Sequence, residues 1–203
     1  MVKEDIFKED IIREAQKLFQ LYGLKKTTME DIAKALGKGK STLYYYYQSK
    51  ELIFEEVLQR ELQEVFRQTQ IAVESVESAE EKLKAFAVTR IKVLSNMLNL
   101  YRLVCGEFIQ QIPCGKVLFN EYSQLEINLI RSILLYGIEK GEFNHEIEQE
   151  MDLLPSVVVS SIRGIERDFF SDKLVGLENR IGAISNLFMK GLKKNVSINV
   201  FNK

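Results

Sequence analysis

Between Gly37 and Lys50 the chain reads "GKGKSTLYYYYQSK". Lys38, Lys40 and Lys50 bring ammonium groups, and Ser41, Thr42, Tyr44, Tyr45 and Tyr46 bring hydroxyls and phenols, all within one short stretch. Ammonium and hydroxyl groups bond phosphate oxygens, while flat aromatic rings lie against thymine methyls and sugars. The chemistry on offer is recognition of a polyanion, not the making of bonds. Residues 25–50 hold six lysines against Glu30 and Asp31, a balance of +4, in a chain whose net charge is −1. A basic patch on an otherwise acidic chain suits a polyanionic partner. A solvated charged loop gives the same balance, so the spacing of the residues has to decide.

Other chemistries have little to work with. Cys105 and Cys114 lie nine apart without a CxxC pair, and His145 is the one histidine in 203 residues, so neither a metal site nor a disulfide framework is expected. There is no nucleophile elbow and no acid-rich motif; no cofactor and no enzymatic activity are expected. No apolar run approaches the ~18 residues of a membrane span, and Met1 to Asp10 is charged and unlike a signal. The expected compartment is the cytoplasm. Two prolines, and glycines gathered at boundaries, point to an all-α fold.

The elements that must position the tyrosines follow from periodicity. Residues 9–22 place Ile11, Ala15, Leu18 and Tyr22 on one helical stripe, widened by Ile12 and Phe19, and Gly23 ends it. A second helix starts at "TTMED", where Thr27 with Glu30 fits a capping box and Thr28 with Asp31 is a weaker alternative; it runs through Ile32, Ala33 and Leu36 to Gly37. A third covers about 40–47. Ser49 caps a fourth, striped by Leu52, Val57, Leu58, Leu62, Val65 and Phe66. Further helices are expected over 78–96, 100–112, 116–139, 147–170 and 176–194, with Pro155 either kinking the 147–170 pattern or marking its start.

Residues 29–48 read as a helix-turn-helix. Ala33 permits close approach of two helices, Gly37 suits a turn at positive φ, and Ile32, Leu36, Leu43 and Tyr47 point inward. At about 100° per residue, Tyr47 lies only about 40° from Leu43 and is also inward, whereas Ser41 and Tyr45 occupy the opposite pole. Thr42 and Tyr44 flank it, and Tyr46 sits on an edge. Lys50 at the first position of the fourth helix opposes the macrodipole unless a phosphate joins it there. The helix start at Thr27 and Thr28 offers a second such place.

At these residues the sequence resembles the TetR family of bacterial transcriptional regulators. The likeness runs over about residues 9–55: "I-I-x-x-A-x-x-L-F" in the first helix, Gly23, "T-T-M-E-D-I-A", Gly37, then "T-L-Y-Y-Y-Y-x-S-K-E-L". Lys38-Gly39 stands where the family pattern has an apolar residue and serine, and Ser41 where it has glycine; Gly39 removes a side-chain cap, and Lys38 adds a phosphate contact. The resemblance implies a homodimer on a palindromic operator in double-stranded DNA. It also implies repression relieved by a small molecule. By position, Thr27, Lys40, Thr42, Tyr44, Tyr45, Tyr46 and Lys50 match places where family members touch DNA. Two domains are expected: 1–49 for DNA, and 50–203 for ligand binding and dimerisation.

In that larger part, Phe86, Arg90, Met97, Tyr101, Cys105, Phe108, Phe119 and Tyr122 are candidates for a largely apolar effector pocket, although such a stripe can equally be core. Val158, Ile162, Ile165, Phe169, Ile184, Leu187 and Phe188, with small Ser161 and Gly164, are candidates for the dimer face, or again for core. A DNA-bound protein of the same build, controlled by a protein partner or acting on the nucleoid, would carry the same head.

Overall fold

The computed structural model describes residues 3–97, 115–170 and 190–193. They fold as α1 (Lys3–Lys26), α2 (Met29–Ala35), α3 (Lys40–Tyr46), α4 (Lys50–Glu74), α5 (Ala79–Asn96), α6 (Gly115–Glu139), a 3-10 helix (His145–Glu150) and α7 (Leu154–Phe170). No strand occurs among the described residues; Phe143 and Lys193 form an isolated bridge. The architecture is all-α. The expected helix over 100–112 and most of that over 176–194 fall outside the described residues.

Local signals explain the boundaries. Gly23 adopts φ 78° and ψ 160° and breaks α1, which nonetheless starts earlier than expected and resumes for a final turn. The turn carries Leu24 into the core and leaves Tyr22 59% exposed, so Tyr22 does not belong to the buried stripe. Pro155 is the second residue of α7, where its missing N–H breaks no helical bond; it marks a start, not a kink.

The chain divides into two compact units. The first comprises Met1–Val65 and Val93–Tyr122. Its core joins Ile11, Ile12, Ala15 and Phe19 of α1 to Ile32 and Ala33 of α2, Leu43 of α3, and Ile53, Phe54, Val57 and Leu58 of α4. Phe19 meets Phe54 edge-on at 5.2 Å. Each Ile, Leu, Val or Phe among them contributes about 1.5–3 kcal/mol on full burial, so α4 adds much of what the first three helices lack. The expected stripe of α4 holds at Val57, Leu58 and Val65, which are buried, but its first turn differs: Ile53 and Phe54 are buried, while Leu52 is exposed.

The second unit comprises Phe66–Lys92 and Ser123–Lys203. Phe86, Ile130, Ile133, Leu134, Phe143, Val158 and Val159 lie in its core. A Cβ on Gly137 would stand 2.2 Å from a ring carbon of Phe143, so only glycine lets that ring lie on α6. Buried beside this core is an ionic cluster. Arg90 donates to both oxygens of Glu166, at 2.7 and 2.8 Å, and pairs with Glu126. Arg163 reaches Glu126 at 2.5 Å and Ser123 at 3.0 Å.

Candidate nucleic-acid interface

The turn between α2 and α3 sets the geometry. Leu36 caps α2, Gly37 takes φ 64°, and the Lys38 amide donates to the Ala33 carbonyl at 2.9 Å. Only glycine takes that φ without strain. Gly39 caps α3 through backbone alone, with no side-chain bond, as expected for a glycine in that place. A helix of seven residues with so weak a start depends on packing, and Leu43 and Tyr47 supply it at 1% and 8% exposure. Tyr47 is further fixed by donating to the Glu56 carboxylate at 2.5 Å; burial and that carboxylate push its phenol well above the usual range.

The other tyrosines sort as the wheel predicts. Tyr45 is 74% exposed and Tyr44 44%, Ser41 is exposed, and Thr42 and Tyr46 are half-buried. Lys38 and Lys40 flank this face, both exposed. Lys40 is held by two neighbours: its ammonium lies 3.0 Å from Glu30 and 5.8 Å from the centre of the Tyr44 ring. Glu30, by hydrogen bond and charge, raises the Lys40 pKa above its ordinary value. The Lys38 ammonium lies 6.0 Å from the ring centre of Phe7, an aromatic seat that replaces the apolar contact expected at that position.

At the start of α2 the capping box belongs to Thr28 and Asp31. The Asp31 amide donates to Thr28 Oγ1 at 3.2 Å, and the Thr28 amide donates to Asp31 Oδ2 at 2.9 Å. The Thr28 hydroxyl also donates to Asp31 Oδ2 at 2.7 Å, and this bond, with that of the Thr28 amide, holds the Asp31 carboxyl below its ordinary range. Thr28 is exposed, but Thr27 is 1% exposed and donates to the Gly23 carbonyl at 2.9 Å. Thr27 is therefore a buried brace for the break in α1, not a group that can meet phosphate.

Lys50 also differs from expectation. Its ammonium donates to the carbonyls of Leu24 at 2.7 Å and Thr27 at 2.8 Å, with Lys25 at 3.4 Å. Three partial negative charges occupy the place where an anion was expected. Sequence periodicity carries no sign of this clasp, because it joins residues more than twenty apart. The contact of Phe7 with Lys38 was missed for the same reason, and that of Glu30 with Lys40 because it joins two helices across the turn.

The residues proposed for an effector are divided between the two units and the segment outside the described residues. Phe86 is fully buried in the second unit, and the Arg90 guanidinium stands 5.6 Å from its ring. Committed to Glu126 and Glu166, Arg90 is a structural charge and no open anchor. Met97, Phe119 and Tyr122 belong to the first unit, half-buried, half-buried and buried respectively. Tyr101, Cys105 and Phe108 lie outside the described residues. A cavity of about 690 Å³ in the first unit is lined by Leu52, Glu55, Arg60, Val117, Leu118 and Glu121 among others, and by none of the candidates.

Among the dimer candidates, Val158 is core in the second unit and Ile162 packs against it. Ile165 and Phe169 are half-buried; Ile184, Leu187 and Phe188 lie outside the described residues. The side of α7 turned from the core carries Val157, 45% exposed, with Ser160 and Ser161, and Leu153 just before the helix is 58% exposed. Val158 is thus corrected to core. Among the described residues no helix is long and apolar enough to cross a membrane, and no cluster of His, Cys, Asp and Glu could hold a metal ion.

Comparison with known proteins bears on this helix-turn-helix directly. Residues 11–57 match the family model for bacterial regulatory proteins of the tetR family. An uncharacterised HTH-type transcriptional regulator of Bacillus subtilis, YhgD, is 36% identical over 137 residues, 66% of this chain and 67% of that protein. The HTH-type transcriptional repressor KstR2 of Rhodococcus jostii is 25% identical over 138 residues, 68% of each chain. A transcriptional regulator from Cytophaga hutchinsonii has the same fold, with a TM-score of 0.73 and 29% identity over 92% of this chain and 98% of that one. With Gly37 at the turn, Leu43 and Tyr47 within, and Tyr44 and Tyr45 without, the chain is a DNA-binding regulator of transcription and belongs to the TetR family.

Proposed function

We propose that the chain is a homodimeric repressor, working in the cytoplasm, that a small molecule releases from a palindromic operator. The observation that carries the DNA reading is the exposed face of α3, with Tyr45 at its pole, Ser41 and Tyr44 beside it, and Lys38 and Lys40 at its rim. Thr28 at the start of α2, with Thr42 and Tyr46 at the edges of α3, completes the proposed contact set. Lysines on the rim meet phosphates and fix register; phenol rings on the face meet base edges and carry sequence preference. Two heads on a palindrome need half-sites about 34–36 Å apart, or a multiple, so dimer geometry governs affinity. An effector that prefers misplaced heads weakens binding by its differential affinity. Repression is supported by the name of the Rhodococcus jostii relative, and the effector is taken to be largely apolar.

The test uses a duplex that the protein selects from a random pool. Tyr45→Ala should alter which bases are preferred, and Lys40→Ala should weaken all duplexes alike and lower the salt slope by about one. Unchanged binding by both variants would remove the interface. Small molecules are then screened for release of the selected duplex. If none releases it and a protein from the same cell does, control by a protein partner replaces control by a ligand.

A further inference from the structure

Phe7 lies near the start of α1, thirty-one residues before Lys38, and the contacts proposed with DNA do not use it. Its ring nonetheless meets that of Tyr46 edge-on, centres 5.1 Å apart and planes at 61°. Tyr46 meets Tyr45 in the same manner, at 5.1 Å and 83°. Three rings therefore stand in series, from half-buried Phe7 through half-buried Tyr46 to exposed Tyr45. The Lys38 ammonium lies 6.0 Å from the same Phe7 ring. One side chain of α1 thus touches groups from both the turn and the outer edge of α3.

Edge-to-face pairs hold each ring at a preferred angle, and a side chain held before binding loses less freedom when it binds. This support matters in a helix whose N-cap lacks a side-chain bond and whose inner side is anchored by Leu43 and Tyr47. We propose that Phe7 is a positioning residue for sequence readout: it fixes the ring of Tyr46, and through it that of Tyr45, for contact with base edges. The inference rests on the reading that Tyr45 faces DNA.

The experiment compares affinity for the selected duplex with affinity for a random duplex of equal length, on one sample of each variant. The ratio cancels any fraction of unfolded protein. Phe7→Leu, which keeps apolar volume but removes the ring, should lower the ratio about two- to tenfold. Phe7→Tyr, which keeps the ring, should preserve it. In a Tyr45→Ala background, Phe7→Leu should lower the ratio less than in the parent, since only the Tyr46 ring is left for it to position. A preserved ratio in Phe7→Leu, or equal losses with Phe7→Tyr or in the Tyr45→Ala background, overturns the inference while Tyr45→Ala alone still lowers the ratio. If Tyr45→Ala leaves the ratio intact, the interface itself fails, and the role of Phe7 with it.

Discussion

The ammonium of Lys50 stands 2.7 Å from the carbonyl oxygen of Leu24, fastening the first residue of α4 to the corner between α1 and α2. The Thr27 carbonyl, 2.8 Å away, closes the same clasp. A cation at a helix start is ordinarily disfavoured by the macrodipole, and the carbonyls here offset it. Lys50→Met should therefore lower stability by about 1.5–3 kcal/mol, the range for hydrogen bonds to a charged group. Operator binding should weaken with an unchanged salt slope, because the lysine is committed to carbonyls. A slope reduced by about one in an anisotropy titration would instead mean that Lys50 reaches a phosphate.

Lys40 is the cation whose partner should compete with DNA. Glu30 holds it at 3.0 Å in an exposed pair on the proposed interface, so a duplex must displace a carboxylate to gain the lysine. Glu30→Gln should raise affinity for every duplex and steepen the salt dependence, with sequence preference retained. Weaker binding in the variant would mean that Glu30 orients Lys40 productively.

The head was legible in the sequence because its decisive features are local. Gly37, Leu43 and Tyr47 act within one turn or two, and the wheel placed Tyr45 outward without knowledge of the rest. Thr28 and Thr27 show the limit. The sequence favoured Thr27 with Glu30 for the capping box, yet Thr28 with Asp31 forms it, because the break of α1 at Gly23 turns Thr27 inward. The larger part of the chain was less readable. Val158 and Val157 are one residue apart in an apolar run, and periodicity cannot say which of them faces core. Arg90 looked like an anchor because its partners Glu126 and Glu166 lie in other helices.

The Arg90 cluster makes a separate prediction for the second unit. Arg90, Glu126 and Glu166 are 3%, 1% and 0% exposed, so removing one charge leaves others buried without compensation. Arg90→Met should cost about 3–5 kcal/mol in urea-induced unfolding. Adding Glu126→Gln and Glu166→Leu should recover part of that loss, since the cluster's worth lies in its completeness. A loss below about 1 kcal/mol for Arg90→Met would show that the remaining carboxylates reach water or Arg163 at little cost.

Glu61 of α4 makes stability depend on pH in the direction opposite to most carboxylates. It is 6% exposed and accepts from the Gln16 amide of α1, and burial pushes its carboxyl up to about 7, against the smaller lowering effects of Gln16 and Gln20. A raised folded pKa means that the folded state holds the proton more tightly than the unfolded chain does. Its contribution is fully present below the unfolded value, near 4.5, and is lost as pH rises to about 7. The contribution is on the order of a few kcal/mol. Glu61→Gln keeps a neutral hydrogen-bonding group in the same place, so its unfolding free energy should exceed the parent's at pH 8 and approach it near pH 4.5. Denaturant titrations of both proteins across that range measure the gap; a constant difference would mean that Glu61 does not titrate between those limits.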